Sequence, residues 1–374
     1  EQRFITPKTI ANLTGHRIFI IGGSAAQGVP YDYPDTFTPL LEAMLRAKGL
    51  DVNVFNAAQA GWGSGRLVAV VKQIVDDYRP NTLVLFMGNN EFTDFMPPGQ
   101  PQANQLLLNI RMFLAHSRAL AWVQYQVLAD KLKTQDRDRR AQDGYHIHHE
   151  LIGADFALKY PAEEVLDWDA TQWPATKQKY IAQYERNLRT MIDYARAGGV
   201  RVVMLTMPIN YRLSPAWTHP QPESFNPIHR EPVRRTIREA HDLITAGEYA
   251  QAIARLEGAI ALDPLPPMLH YLKGQSLERL GRHAEAEAAY GQCREQMIGW
   301  LGSVPSMNAT MRQVGQATQT PVIDLAAIFD QAEHAQGRYY NQDLIHDDCH
   351  PTPLGHKVIA EVLTRWMLGR SKDG

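Results

Sequence analysis

The sequence predicts an α/β protein built on a parallel five-stranded sheet with helices on both faces, and three observations carry that prediction. Five short runs rich in β-branched residues are bounded by Gly, Pro or Asn: "RIFII" (17–21), "VNVFN" (52–56), "TLVLFM" (82–87), "RVVMLT" (201–206) and "PVIDL" (321–325). Each is apolar almost without alternation, as strands covered on both faces must be. Between them lie stretches with the helical period, "FTPLLEAMLRAKG", "RLVAVVKQIVDDY" and "KYIAQYERNLRTMIDYARAGG".

Taken in order, the first strand runs into "GGSAAQG" (22–28). Three glycine motifs fail there. A phosphate-binding loop needs Gly-Lys-Ser/Thr at its end, and Gly28 is followed by Val29. The dinucleotide fingerprint is absent, and a G-x-S-x-G elbow would need glycine where Ala26 stands. What remains is a serine just past the end of a strand. The second strand is followed by "NAAQAGWGSG" and the third by "MGNNEF". After the third strand, residues 96–170 interrupt the α/β alternation. "NQLLLNIRMFLAHSRALAWVQYQVLADKL" is apolar almost all round, which predicts a helical insertion packed on the sheet domain or on a partner. The charge-alternating "DKLKTQDRDRR" (130–140) reads as a solvated face.

The last two strands are separated by a second insertion, which repeats. A shift of 34 residues maps Ala240, Gly247, Ala252, Leu256 and Ala259 onto Gly274, Gly281, Ala286, Tyr290 and Cys293. This pattern, over about 234–298, resembles the tetratricopeptide repeat, in which small residues let antiparallel helices approach closely. The organisation expected is a first core part over 1–229, a repeat insertion over 230–299 and a last core part over 300–374. The repeats either brace the fold or offer a short groove to a protein partner.

Composition excludes several function classes. The 374 residues carry a net charge of −2 with mixed signs, and no basic patch suits nucleic acid or a membrane surface. No apolar run of 18 residues exists to span a membrane. Two cysteines, Cys293 and Cys349, make no disulfide framework. The chain starts at Glu1 rather than Met, which reads as a mature or trimmed form.

In an open parallel sheet, ligands bind beyond the carboxyl ends of the strands. That edge gathers Ser24, Gly61, Asn90, the "MPINYR" loop with Asn210 and Arg212, and "DDCHPTPLGH" with Asp347 and His350. A nucleophile, amide donors, an acid and a base are the parts of acyl transfer. Here the chain resembles the SGNH (GDSL-type) hydrolases. "GGSAAQG" is similar to their serine block, Gly61 to the glycine block, "GNNE" to the G-x-N-D block and "DDCH" to the D-x-x-H block. The resemblance spans 17–91 and 321–370 and implies a flavodoxin-like sheet. Combined with the repeats, it points to a bacterial subgroup. Gly23, Ala58 and Glu91 depart from the usual Asp, Gly and Asp, in loops that shape the pocket.

The resemblance implies that Ser24 attacks an ester carbonyl, that His350 is its base and that Asp347 orients His350. The oxyanion donors would be the N–H groups of Ser24 and Gly61 and the side-chain amide of Asn90. Rivals stand nearby: Gly63 and Gly65 for Gly61, Asp348 for Asp347, and His346 and His356 for His350. Thr352 and Pro353 read as cap and first residue of the following helix. Asn210 and Arg212 are candidate substrate contacts, with loop ordering as the competing role. Cys349 reads as a packed residue. His146 and His148 have a chelating spacing but lack a third ligand, so neither metal nor cofactor is expected. The substrate class expected is a short acyl ester such as a glycan O-acetyl group. Transfer to an exported polysaccharide is the alternative, and a non-catalytic scaffold using the repeats is the rival of a different class. The subgroup and the missing Met imply an extracytoplasmic location.

Overall fold

The computed structural model describes residues 13–92, 173–215, 224, 226–297, 303–341 and 343–369. Five strands, β1 (His16–Gly22), β2 (Val52–Asn56), β3 (Thr82–Phe86), β4 (Arg201–Leu205) and β5 (Val322–Ile323), pair in parallel in the order β2-β1-β3-β4-β5. The chain steps outward from β1 to β2, then returns to lay β3 on the other side of β1. The strand order therefore reverses at the carboxyl ends of β1 and β3, which is where such sheets open a crevice.

The strands' near-continuous apolarity is used on both faces. Ile18 and Ile20 of β1, Val84 and Phe86 of β3, and Val203 and Leu205 of β4 form one core with α2 (Phe37–Ala47), α10 (Leu325–His334) and α11 (Pro353–Met367). The alternate residues, Phe19, Ile21, Leu83, Leu85, Val202 and Met204, are equally buried. On their side α3 (Ser64–Tyr78), α4 (Trp173–Ala197) and α9 (Pro305–Thr318) pack on one another and on β1, β4 and β5. β5 is shorter than the run that predicts it. Asp324 caps α10, its carboxylate accepting the Ala327 N–H and the Thr206 hydroxyl, so the chain leaves the sheet after two residues.

Between β4 and β5 stand two helical hairpins, α5 (Arg230–Thr245) with α6 (Tyr249–Leu262), and α7 (Pro267–Arg279) with α8 (His283–Gln296). Their turns hold Gly247 and Gly281, one repeat apart, both left-handed at φ 80° and 72°. At Gly274 a Cβ would stand 2.7 Å from the Tyr290 ring, so glycine is what lets α7 lie against α8. The hairpins belong to one compact unit with the sheet. The insertion read at 96–170, including His146 and His148, lies outside the described residues. Among the described residues no helix is long and apolar enough to cross a membrane.

Candidate active site

Ser24 opens α1 (Ser24–Gln27), a single turn set on the end of β1. Two glycines make that junction possible. A Cβ on Gly22 would lie 1.9 Å from the Phe86 carbonyl of neighbouring β3, and one on Gly23 would lie 2.2 Å from Asn90 Nδ2. Gly28, at φ 101°, ends the turn, and its N–H returns to the Ser24 carbonyl. The departure from Asp at position 23 thus has a steric meaning here: the missing side chain is where the Asn90 amide sits.

The next two loops are tied to this turn. Gln59 N–H donates to the Gly22 carbonyl at 2.9 Å, and Ala60 N–H to Gln27 Oε1 at 2.9 Å. Gly61 follows, exposed and left-handed at φ 74°. Asn90, buried after β3, donates from Nδ2 to the Trp62 carbonyl at 3.3 Å. Gly63 is buried, and a Cβ there would come 2.7 Å from the Asn90 carbonyl; its role is packing, while Gly61 stands in the open. Glu91 is bonded to Ser64. Its carboxylate accepts the Ser64 N–H at 3.1 Å and the Ser64 hydroxyl at 2.5 Å, holding the start of α3. The residue that departs from Asp thus meets a helix terminus, where a carboxylate faces the helix dipole.

The fourth loop brings the base. Ser24 Oγ lies 2.7 Å from His350 Nε2, and His350 Nδ1 lies 2.7 Å from Asp347 Oδ2. With the Nδ1 proton donated to the carboxylate, Nε2 is left to accept the serine proton. Asp347 Oδ1 accepts the N–H groups of Cys349 at 3.1 Å and His350 at 2.9 Å, so one carboxylate folds the loop and orients the ring. Thr352 caps α11 by accepting the Gly355 N–H and also donates to the Asp343 carbonyl, as its place before Pro353 predicts.

Burial opposes charge on both members of this pair, and the pairing outweighs it. The hydrogen bonds and charge of His350 hold the Asp347 carboxyl well below the ordinary range despite its burial. Burial lowers His350, but its bond to Asp347 and the carboxylate charge raise it above 6.5 on balance. Asp348, the rival acid, makes no bond to the ring. Burial and the Asp347 charge push its carboxyl up, toward the neutral form. His356 stacks on Phe37 at 5.9 Å, and burial pulls it down to about 4. Cys349 is buried with its sulfur 3.4 Å from Asn89 Nδ2, and burial raises the thiol well above its ordinary value, so it is a packed residue. The side-chain ligand atoms of Asp347, Asp348, Cys349 and His350 lie within 4.8 Å of one another, with the imidazole engaged on both nitrogens.

Asn210 and Arg212, the candidate substrate contacts, each hold a partner within the protein. Asn210 is buried; its Nδ2 donates to the Asp347 carbonyl at 2.7 Å, and its Oδ1 accepts the Arg212 N–H at 3.1 Å. Arg212 pairs with Glu278 of α7 at 3.2 Å. Both order the loop behind the acid. Arg294, which sequence reasoning passed over, lies beside the same loop, with Nη2 donating to the Asp348 carbonyl at 3.2 Å. Its signal was weak: a lone arginine on a repeat helix beside Cys293, in a position that reads as solvated until the helix is docked.

Residues 237–292 match the tetratricopeptide repeat family. No curated protein matches the chain. Among solved structures, the chain is distantly similar to the acetyl xylan esterase AlAXEase (10% identity, TM-score 0.39, 94% of this chain and 98% of that one). It is similar to the same degree to the lipase/acylhydrolase from Enterococcus faecalis (13%, 0.41, 96% and 100%). A third likeness is to the acetylxylan esterase Axe2 from Geobacillus stearothermophilus (13%, 0.40, 94% and 94%).

Proposed function

We propose that the protein is a serine esterase of the SGNH type, cleaving esters through an acyl-serine intermediate. One observation carries this reading: Ser24 Oγ, His350 and Asp347 stand in an unbroken relay of two 2.7 Å hydrogen bonds at the reversal point of the sheet. A serine hydroxyl is protonated at neutral pH and attacks only with a base in reach. His350 takes the Ser24 proton as Oγ bonds to the carbonyl carbon. The imidazolium, stabilised by Asp347, then gives that proton to the leaving alcohol as the C–O bond breaks. Water, deprotonated in turn by His350, attacks the acyl carbon, and His350 returns the proton to Ser24 Oγ as its bond to the acyl group breaks and the acid leaves. The N–H groups of Ser24 and Gly61 and the Asn90 amide are proposed to receive the negative oxygen of each tetrahedral intermediate.

The substrate class proposed is a short acyl ester, an O-acetyl group of a glycan, following the family resemblance. An acceptor alcohol in place of water would make the same intermediate a transferase, and the location proposed is extracytoplasmic. The test is hydrolysis of p-nitrophenyl acetate, butyrate and octanoate by wild type and by Ser24→Ala. Wild-type turnover that falls by on the order of 10⁶ in kcat supports the acyl-serine route, and equal rates overturn it. A rate that declines from acetate to octanoate supports the short-acyl assignment.

A further inference from the structure

The loop that carries Asp347 and His350 is gripped from the repeat hairpins by two separate routes. The first starts on α8. Arg294 is 3% exposed and runs inward, its Nη1 against Met297 Sδ at 3.6 Å and its Nη2 on the Asp348 carbonyl at 3.2 Å. The adjacent Glu295 fastens the same turn of helix to the core. It accepts Lys177 Nζ of α4 at 2.7 Å and the Ser306 N–H of α9 at 2.9 Å. The second route starts on α7. Glu278 takes Arg212 at 3.2 Å and the Tyr290 hydroxyl at 2.8 Å. Tyr211 packs against the cluster of Ile253, Leu277, Ala286 and Tyr290. Its neighbour Asn210 then donates from Nδ2 to the Asp347 carbonyl at 2.7 Å and from its backbone to the Asp348 carbonyl at 3.4 Å. The two routes meet on one peptide carbonyl, that of Asp348, one residue from the acid and two from the base.

We propose that the repeat hairpins act as the clamp that sets the acid–histidine loop, with Arg294 as a positioning residue for the chemistry at Ser24. The proposal rests on the esterase reading of that site. A guanidinium taken out of water is retained only where opposite charge and acceptors compensate it. Here it faces the carbonyl and the charge of the Asp347–Asp348 pair, and its field opposes the burial and mutual repulsion that drive Asp348 toward its neutral form. The repeat therefore supplies both a hydrogen bond and a charge to a loop on which His350 must keep 2.7 Å contacts on both sides. A peptide that slides by a fraction of an ångström there misaligns the relay, and such misplacement is expensive in rate.

The experiment compares Arg294→Gln, Arg294→Lys and Leu256→Ala with wild type. Leu256 lies in α6, packed with Val233 and Leu269 away from the loop, and serves as the control for a merely weakened repeat. At a temperature where circular dichroism finds all four folded, Arg294→Gln is expected to lose on the order of 10- to 100-fold in kcat on p-nitrophenyl acetate with KM within about twofold. Arg294→Lys, which keeps the charge, recovers part of the loss, and Leu256→Ala keeps its kcat. A kcat for Arg294→Gln within about twofold of wild type, or an equal loss in Leu256→Ala, overturns the proposal. The second readout needs no turnover: the far-downfield proton resonance of His350 Nδ1–H is expected in wild type and displaced in Arg294→Gln. An unmoved resonance overturns the proposal even if the protein hydrolyses nothing. A displaced resonance in a protein without Ser24-dependent activity would uphold the clamp while the esterase reading fell.

Discussion

Ser24 and His350 touch, yet the two sides of the site are held by different means. The serine side is held at the sheet edge itself, by the loops that follow neighbouring strands. The junction of β1 and α1 is fixed by Gly22 and Gly23, by the return of Gly28 N–H to the Ser24 carbonyl, and by two hydrogen bonds from the β2 loop. The acid–histidine side is long-range. Its peptide carbonyls are held by Asn210 and Arg294, side chains 137 and 54 positions away in the chain. A turn built on glycines at a strand end is fixed by the sheet edge it sits on, through the loops that follow β2 and β3. A loop held by remote side chains depends on every element that carries them, the repeat hairpins included.

The largest expected effect tests whether the far side matters to the chemistry at all. Asp347→Asn keeps the size of the side chain but removes the charge that fixes the His350 tautomer, and kcat is expected to fall by about 10⁴. The sign in pH follows from His350. Only the neutral ring takes the Ser24 proton, so wild-type kcat/KM rises with pH through a midpoint above 6.5, because the Asp347 bond and charge outweigh burial. In Asp347→Asn what remains of the activity has its midpoint at lower pH. A profile that stays in place would mean that Asp347 does not hold the ring.

On the serine side, Gly23→Ala places a Cβ 2.2 Å from Asn90 Nδ2 and pushes that amide out of position. If Asn90 receives the oxyanion, kcat falls by about 10²–10³ with KM little changed, the cost of one lost donor. A loss of only a few fold, measured in the same assay, would leave Asn90 a packing residue. The smallest effect belongs to the remote supports. Asn210→Ala leaves the Asp347 carbonyl without its side-chain donor, and urea unfolding is expected to show a loss of about 1–3 kcal/mol. Activity in the cold should fall by about tenfold or less, because the Asn210 backbone and Arg294 still hold the next peptide. If Asn210→Ala proved as damaging to kcat as Asp347→Asn, the acid side would hang on one amide rather than on two routes.

The five strand runs, the serine turn, the Thr352–Pro353 helix start and the turn glycines 34 residues apart were all legible in the sequence. Each is set by neighbours within a few positions: apolar runs make covered strands, glycine permits φ that other residues avoid, and a threonine before proline starts a helix. The choice of Asp347 over Asp348 was legible as a spacing, and became a contact only when the loop folded its carboxylate onto His350. What tertiary structure alone decided is the assignment of side chains that look alike in one dimension. Asn210 is buried against the acid loop, and Arg212, exposed along its side chain, pairs with Glu278. Glu91 holds the start of α3, and Arg294 is buried although its charge predicts solvent. The physical reason is common to all four. A polar side chain's partner is set by which distant element packs beside it, and local sequence carries no term for that.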